Sequence, residues 1–427
     1  MKKLLAASFA LLVLLAALAL ASPGALQEWL PFPTTDLVVH FWKDGFNPNL
    51  FEQVEGTNPY IALLDGRAAR LEEDFQKVER FLRLDYDPAA QGKVYIFIYP
   101  TLERYEEATG CLICAADVGG LLPQFRDELM SLIGAREVSP IAVYLTLDSS
   151  DYVILHEFTH VLDFSLINNS PPTFLLEGLA TYTGYRLDGV PDEWQLGLVE
   201  QFVKLRLEDH GIDLLRDYFA KGGYWKFTYN VGTSFIKFLA KRGGWERFLQ
   251  FYADLHYPFD REKLDELFQE YYGAGFAELE AEWKGGLAQV EVTENARAAY
   301  EFKLDQVLIR YIFLRPLLAD PQRAEELFET ARTLVKGQFN EAAGAALRKY
   351  LNDPGNLLAT KETVEKALKY GSYLYSYVQG YHRDEPELVM EFGDGYVQLH
   401  ELYSAGRFAD FTRLYWQSVQ TYVTWRR

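Results

Sequence analysis

The stretch Tyr152-Val153-Ile154-Leu155-His156-Glu157-Phe158-Thr159-His160-Val161-Leu162-Asp163-Phe164 decides how the rest of the chain is read. Its apolar residues recur with helical spacing. Residues four apart on a helix differ by about 40° around the axis and by about 6 Å along it, so His156 and His160 present both imidazoles on one face. Two such nitrogens can meet one Zn²⁺ at about 2.0–2.1 Å. Glu157 then falls beside the metal and not on it, where a carboxylate can take a proton from an activated water. The bland alternative is a pair of histidines on an amphipathic core helix.

Composition narrows what such a helix can serve. The chain has 427 residues, and Asp and Glu outnumber Lys and Arg by 61 to 42, a formal net charge of -19. Binding to a nucleic-acid backbone relies on clustered cations that release counterions, so this balance argues for no nucleic-acid partner. Hydrophobic residues at 49% supply a core and exclude an intrinsically disordered chain. With two cysteines in all, a zinc site built only of thiolates is impossible. Any metal must therefore use histidine and carboxylate.

Upstream, Lys2 and Lys3 precede an uncharged apolar run from Leu4 to Ala21, closed by Ala19-Leu20-Ala21 and followed by Ser22-Pro23-Gly24. This is the layout of a secretory signal peptide over residues 1–21. An uncleaved membrane anchor is the alternative, since 18 apolar residues could just span a bilayer. No cysteine follows the run to carry a lipid. No later run has spanning length, so the expectation is an exported protein, periplasmic or extracellular, without a further membrane span. In that setting Cys111 and Cys114 read as a small-loop disulfide more readily than as a redox pair.

The fold expected is α+β. Strands are predicted over Asp36–Trp42, Val94–Tyr99 and Ile141–Leu147, and a helix over Gly66–Leu84 with its apolar stripe at Ala68, Leu71, Phe75, Val78, Phe81 and Leu82. From about Ser149 onward the pattern is helical throughout. A helical stretch is expected to end at Trp283-Lys284-Gly285-Gly286. Beyond it, Asp320-Pro321 starts a helix that Gly337 ends. Glycines 337, 371 and 406 stand 34 and 35 residues apart. The organisation expected is residues 22–148 as a small α+β part, 149–286 as the helical part with the histidines, and 287–427 as a helical-hairpin domain.

Two resemblances follow from these residues. His156-Glu157-x-x-His160, the loop Asn168-Asn169-Ser170-Pro171-Pro172, and Leu176-Glu177-Gly178-Leu179-Ala180-Thr181-Tyr182 together resemble the gluzincin metallopeptidases, most closely those of the peptidase MA-like type. The resemblance implies a zincin-like unit with Zn²⁺ held by His156, His160 and Glu177, and a fourth position left for water. It makes Glu157 the general base and, through Tyr229-Asn230-Val231-Gly232, makes Tyr229 the donor to the oxyanion, with Tyr224 as its competitor. Asp163 and Thr181 are the candidates for orienting the ligands. Thr181 departs from the carboxylate that thermolysin-like enzymes place there, which leaves the partner of His156 open. By the same resemblance Ile141–Leu147 is the exposed sheet edge on which an extended substrate pairs, although its unbroken apolar run also fits a buried strand. The second resemblance, of Gly337-Gln338-Phe339-Asn340-Glu341-Ala342 through Pro354 to the second helix of a tetratricopeptide repeat, covers one half-repeat and implies a protein partner at the C-terminal domain.

The function expected is an exported zinc metallopeptidase acting on a peptide or protein substrate. The absence of a Gly-x-Met-x-Asn motif favours endopeptidase action. The competing expectation is a catalytically silent zincin-fold scaffold that acts as an interaction protein through its helical C-terminal domain.

Overall fold

The computed structural model describes residues 29–42, 59–109, 117–120, 141–147, 149–167, 171–189, 192–211, 213–214, 228–255, 261–332, 339–381 and 386–425. The signal-like segment, Cys111, Cys114, Asn168–Ser170, Tyr224 and Gly337 lie outside the described residues.

An α+β architecture results, with a small mixed sheet followed by helices, as the strand and helix patterning predicts. Strands β1 (Trp29–Pro33), β2 (Leu37–Trp42) and β3 (Val94–Tyr99) lie side by side, with the helices α1 (Pro59–Leu82) and α2 (Leu102–Thr109) flanking β3 in sequence. Strands β4 (Asp117–Gly120) and β5 (Ile141–Thr146) complete a five-stranded sheet in the order β1-β2-β3-β5-β4. The pairs β2–β3 and β3–β5 are parallel, and both outer strands are antiparallel to their neighbours. Strand β5 is thus interior, not the exposed edge that the resemblance suggests. Residues Ala142 to Thr146 are all buried, which is what the unbroken apolar run records. Among the described residues the outer strand on that side is β4, whose Asp-Val-Gly-Gly gives no alternating signal.

One face of the sheet gathers Trp29, Tyr95, Phe97, Tyr99 and Tyr144 with Tyr105 of α2 into an aromatic cluster. On the alternate residues Leu37, Val39, Phe41, Ile96, Ile98, Val143 and Leu145 are buried. Helices α1 and α3 (Asp151–Leu162) both pack on the sheet and on each other, with Phe75 edge-on to Phe158 at 5.3 Å.

After α3 come a π-helical turn (Asp163–Ile167), α4 (Thr173–Leu187), α5 (Asp192–His210), α6 (Thr228–Gly243), α7 (Trp245–Ala253), α8 (Arg261–Tyr272) and α9 (Phe276–Ala288). Helices α10 (Glu294–Glu301), α11 (Leu304–Leu314), α12 (Pro321–Arg332), α13 (Glu341–Asn352), α14 (Lys361–Tyr381), α15 (Pro386–Ser404) and α16 (Phe408–Trp425) follow. Contacts divide the chain into two compact units, one drawn from residues 1–190 and 235–273, the other from 191–234 and 274–427. Helix α9 runs through Gly285 and Gly286 instead of stopping there. Glycine costs a helix about 1 kcal/mol, which burial of Phe276, Leu279, Trp283 and Leu287 more than offsets.

In the second unit α12 packs on α13, α14 on α15, and α15 on α16, the sequential pairing of helical hairpins. Asp320 caps α12 by accepting from the Arg323 amide at 2.9 Å. Gly406 has φ +68° in the turn between α15 and α16, a conformation suited to glycine. Gly371 lies inside α14, so the glycine spacing of 35 does not mark equivalent positions.

Candidate metal centre

Helix α3 leaves the sheet almost at once after β5. Ser149 Oγ accepts from the Thr146 amide at 3.0 Å, and Ser150 caps the helix by accepting from Val153 N at 3.4 Å. Asp151 in the first turn suits the helix dipole and pairs with Arg70 of α1 at 2.5 Å. The helix is buried along His156, Phe158, Thr159 and His160, so the two histidines face the protein interior.

Helix α4 crosses closely over α3. A Cβ on Gly184 would stand 2.9 Å from both Cδ2 and the carbonyl oxygen of Tyr152, and Tyr152 stacks on Tyr185 at 4.7 Å. That approach delivers Glu177 to the histidines. The Nε2 atoms of His156 and His160 are 3.1 Å apart. Glu177 Oε2 lies 3.4 Å from the first and 3.5 Å from the second. Ligand atoms at zinc–ligand distances of 2.0–2.1 Å and tetrahedral angles stand about 3.3 Å from one another, so the three edges fit one small cation. Among the described residues this is the one group of three or more His, Cys, Asp or Glu side chains so placed.

The electrostatics of the donor set favour a cation. Burial lowers the His156 pKa and outweighs the pull of Glu177. Burial also opposes charge on His160, yet Glu177, with Glu157 and Asp163 behind it, raises that pKa overall. Glu177 is pushed up by burial but brought down to about 2 by the two imidazoles. A carboxylate and two ring nitrogens thus converge on one point, where a proton or a metal cation would offset the carboxylate charge. Two histidines and one carboxylate form a donor set that suits zinc and leaves a position open, though other divalent metals of similar preference would also fit.

The surrounding residues fall into two groups. Thr181 Oγ1 is 3.4 Å from His156 Nδ1. Asp163, at the start of the π turn, is 1% exposed. Burial pushes its carboxyl up to about 7, against the opposing effects of His160 and the Tyr252 hydroxyl. Phe164, the next residue, is 42% exposed and stacks on the His160 ring at 5.7 Å. Glu157 is partly buried between His156 and His160. Tyr229 stands on the first turn of α6 in the second unit and is 49% exposed. No local motif in the sequence marks Tyr252.

Compared with models of known protein families and with characterised proteins, the chain matches none.

Proposed function

We propose that this chain is an exported zinc metallopeptidase with the gluzincin arrangement, hydrolysing peptide bonds in a peptide or protein substrate. The observation that carries the reading is the buried triangle of His156, His160 and Glu177 with edges of 3.1, 3.4 and 3.5 Å, next to a carboxylate that the triangle does not use. A scaffold has no need of Glu157.

When bound, zinc supplies a Lewis acid that polarises the scissile carbonyl and makes water acidic enough to attack near neutral pH. The chain's own residues do the rest. His156, His160 and Glu177 fix the cation's place. The Glu157 carboxylate takes a proton from the attacking water and returns it to the leaving amine. Strand β4 pairs with β5 on one side and packs beside α3, so its outer backbone groups are the proposed place for an extended substrate to add as a strand.

The signal-like residues 1–21 would direct export. Among the described residues no helix is long and apolar enough to cross a membrane. The helical hairpins of the second unit are the proposed surface for a protein partner, and the acidic balance leaves nucleic acid outside the reading. Cleavage of casein or a peptide library, with and without chelator, tests the activity. Glu157→Gln should keep zinc and lose at least 100-fold in rate; full activity in that variant contradicts the mechanism.

A further inference from the structure

The proposed zinc site treats its two histidines differently. His156 has Thr181 Oγ1 at 3.4 Å from its Nδ1. The Nδ1 atom of His160 is buried, and neither it nor either oxygen of the buried Asp163 closes a hydrogen bond of normal length among the described residues. Residues three apart on a helix share a face, so Asp163 sits one turn beyond His160 on the buried side. Asp163 accepts no backbone N–H, which removes helix capping as the reason for its burial.

A second group faces Asp163 from a different helix. Tyr252 of α7 is fully buried at 0% exposure, and its side chain interacts with the Asp163 carboxyl. Burial, with the negative charge of Asp163 next, keeps that hydroxyl protonated far beyond its ordinary range. It is therefore a permanent donor.

We propose that Tyr252 and Asp163 form a positioning pair for His160, in which the Tyr252 hydroxyl donates to the Asp163 carboxylate and that carboxylate accepts from Nδ1–H of His160. The inference rests on the zinc reading of the site. Its chemical effect is to fix the tautomer: with the proton held on Nδ1, the Nε2 lone pair points to His156 Nε2 and Glu177 Oε2, where the cation belongs. The π turn that begins at Asp163 is the local irregularity that separates the buried Asp163 from the exposed Phe164, and such turns are frequent at functional sites. A carboxylate buried away from water is costly, and a metal-ligating histidine is a reason to retain it.

The test uses the full chain, with zinc affinity measured by chelator competition and the ring nitrogens followed by ¹⁵N-histidine NMR. Asp163→Leu should weaken zinc binding by about 10- to 100-fold. Tyr252→Phe should weaken it several-fold while keeping the ring that fills the core. In both, the Nδ1–H resonance of His160 should shift or vanish while that of His156 stays. A purely structural role would leave that resonance and the zinc affinity of folded variants unmoved. Should Asp163→Leu fail to fold, Tyr252→Phe alone decides. Wild-type zinc affinity and an unmoved His160 signal in folded Tyr252→Phe overturn the inference while leaving the zinc site standing. A wild-type chain that takes no zinc overturns both.

Discussion

Thr181 Oγ1 lies 3.4 Å from Nδ1 of His156, across the crossing of α3 and α4 and four residues beyond Glu177. The helix that carries Glu177 therefore places a hydroxyl beside a histidine on its neighbour. When Nε2 of His156 faces a cation, Nδ1 carries the proton and donates to the Thr181 hydroxyl. Thr181→Val keeps the shape and removes the acceptor. Zinc affinity should fall about 10-fold with little change in melting temperature, checked by chelator competition and thermal unfolding. Unchanged affinity would mean that the hydroxyl is idle.

Gly184 sets how closely those helices approach. A methyl group there meets the Tyr152 backbone oxygen at 2.9 Å, and backbone cannot rotate away as a side chain can. Gly184→Ala should cost about 1–3 kcal/mol, visible as a lower denaturant midpoint. It should also loosen zinc binding, because the same crossing carries Glu177. A variant as stable as wild type would show that α4 can shift without loss.

His40 supplies a pH dependence far in sequence from the metal group. It lies on β2, 5% exposed, stacked on Phe97 at 4.9 Å, and burial lowers its pKa from 6.5 to about 3. Because the folded value is below the unfolded one, the unfolded chain binds the extra proton first. Stability from this group is complete above pH 6.5 and is lost as pH falls towards 3, at about 1.4 kcal/mol per unit. By pH 5 the loss is about 2 kcal/mol. Asp36 has the opposite sign: burial, with Glu72 beside it, raises its pKa to about 6, so its contribution is lost as pH rises from about 4 to 6. His40→Phe should flatten the fall between pH 7 and 5 in urea unfolding. Parallel curves for the two proteins would contradict the assignment.

Much of this architecture is written locally in the sequence, and the remainder is not, for physical reasons that particular elements show. Val94–Tyr99 reads as a strand from its own composition and is one, bounded by the same residues. Trp29–Pro33 does not, because Pro31 and Pro33 lack an N–H to give; it survives as β1 because an edge strand pairs on one side only. The interior place of β5 depends on β4, a segment with no pattern of its own. His156 and His160 are legible because helical spacing converts directly into a shared face, whereas Glu177, on the next helix, is reached only through the resemblance of its Glu-Gly-x-Ala stretch. Tyr252 is not legible: it reaches Asp163 from a helix 89 positions further along the chain, and only folding brings the two together.

The central claim is that His156, His160 and Glu177 hold one catalytic cation. Metal content of the purified full chain, measured by mass spectrometry after exhaustive dialysis, tests it most directly. The account predicts close to one zinc per chain in wild type and in Glu157→Gln, and a fall to background in Glu177→Ala and His160→Ala. Wild-type protein without zinc, or Glu177→Ala that retains it in full, would contradict the account.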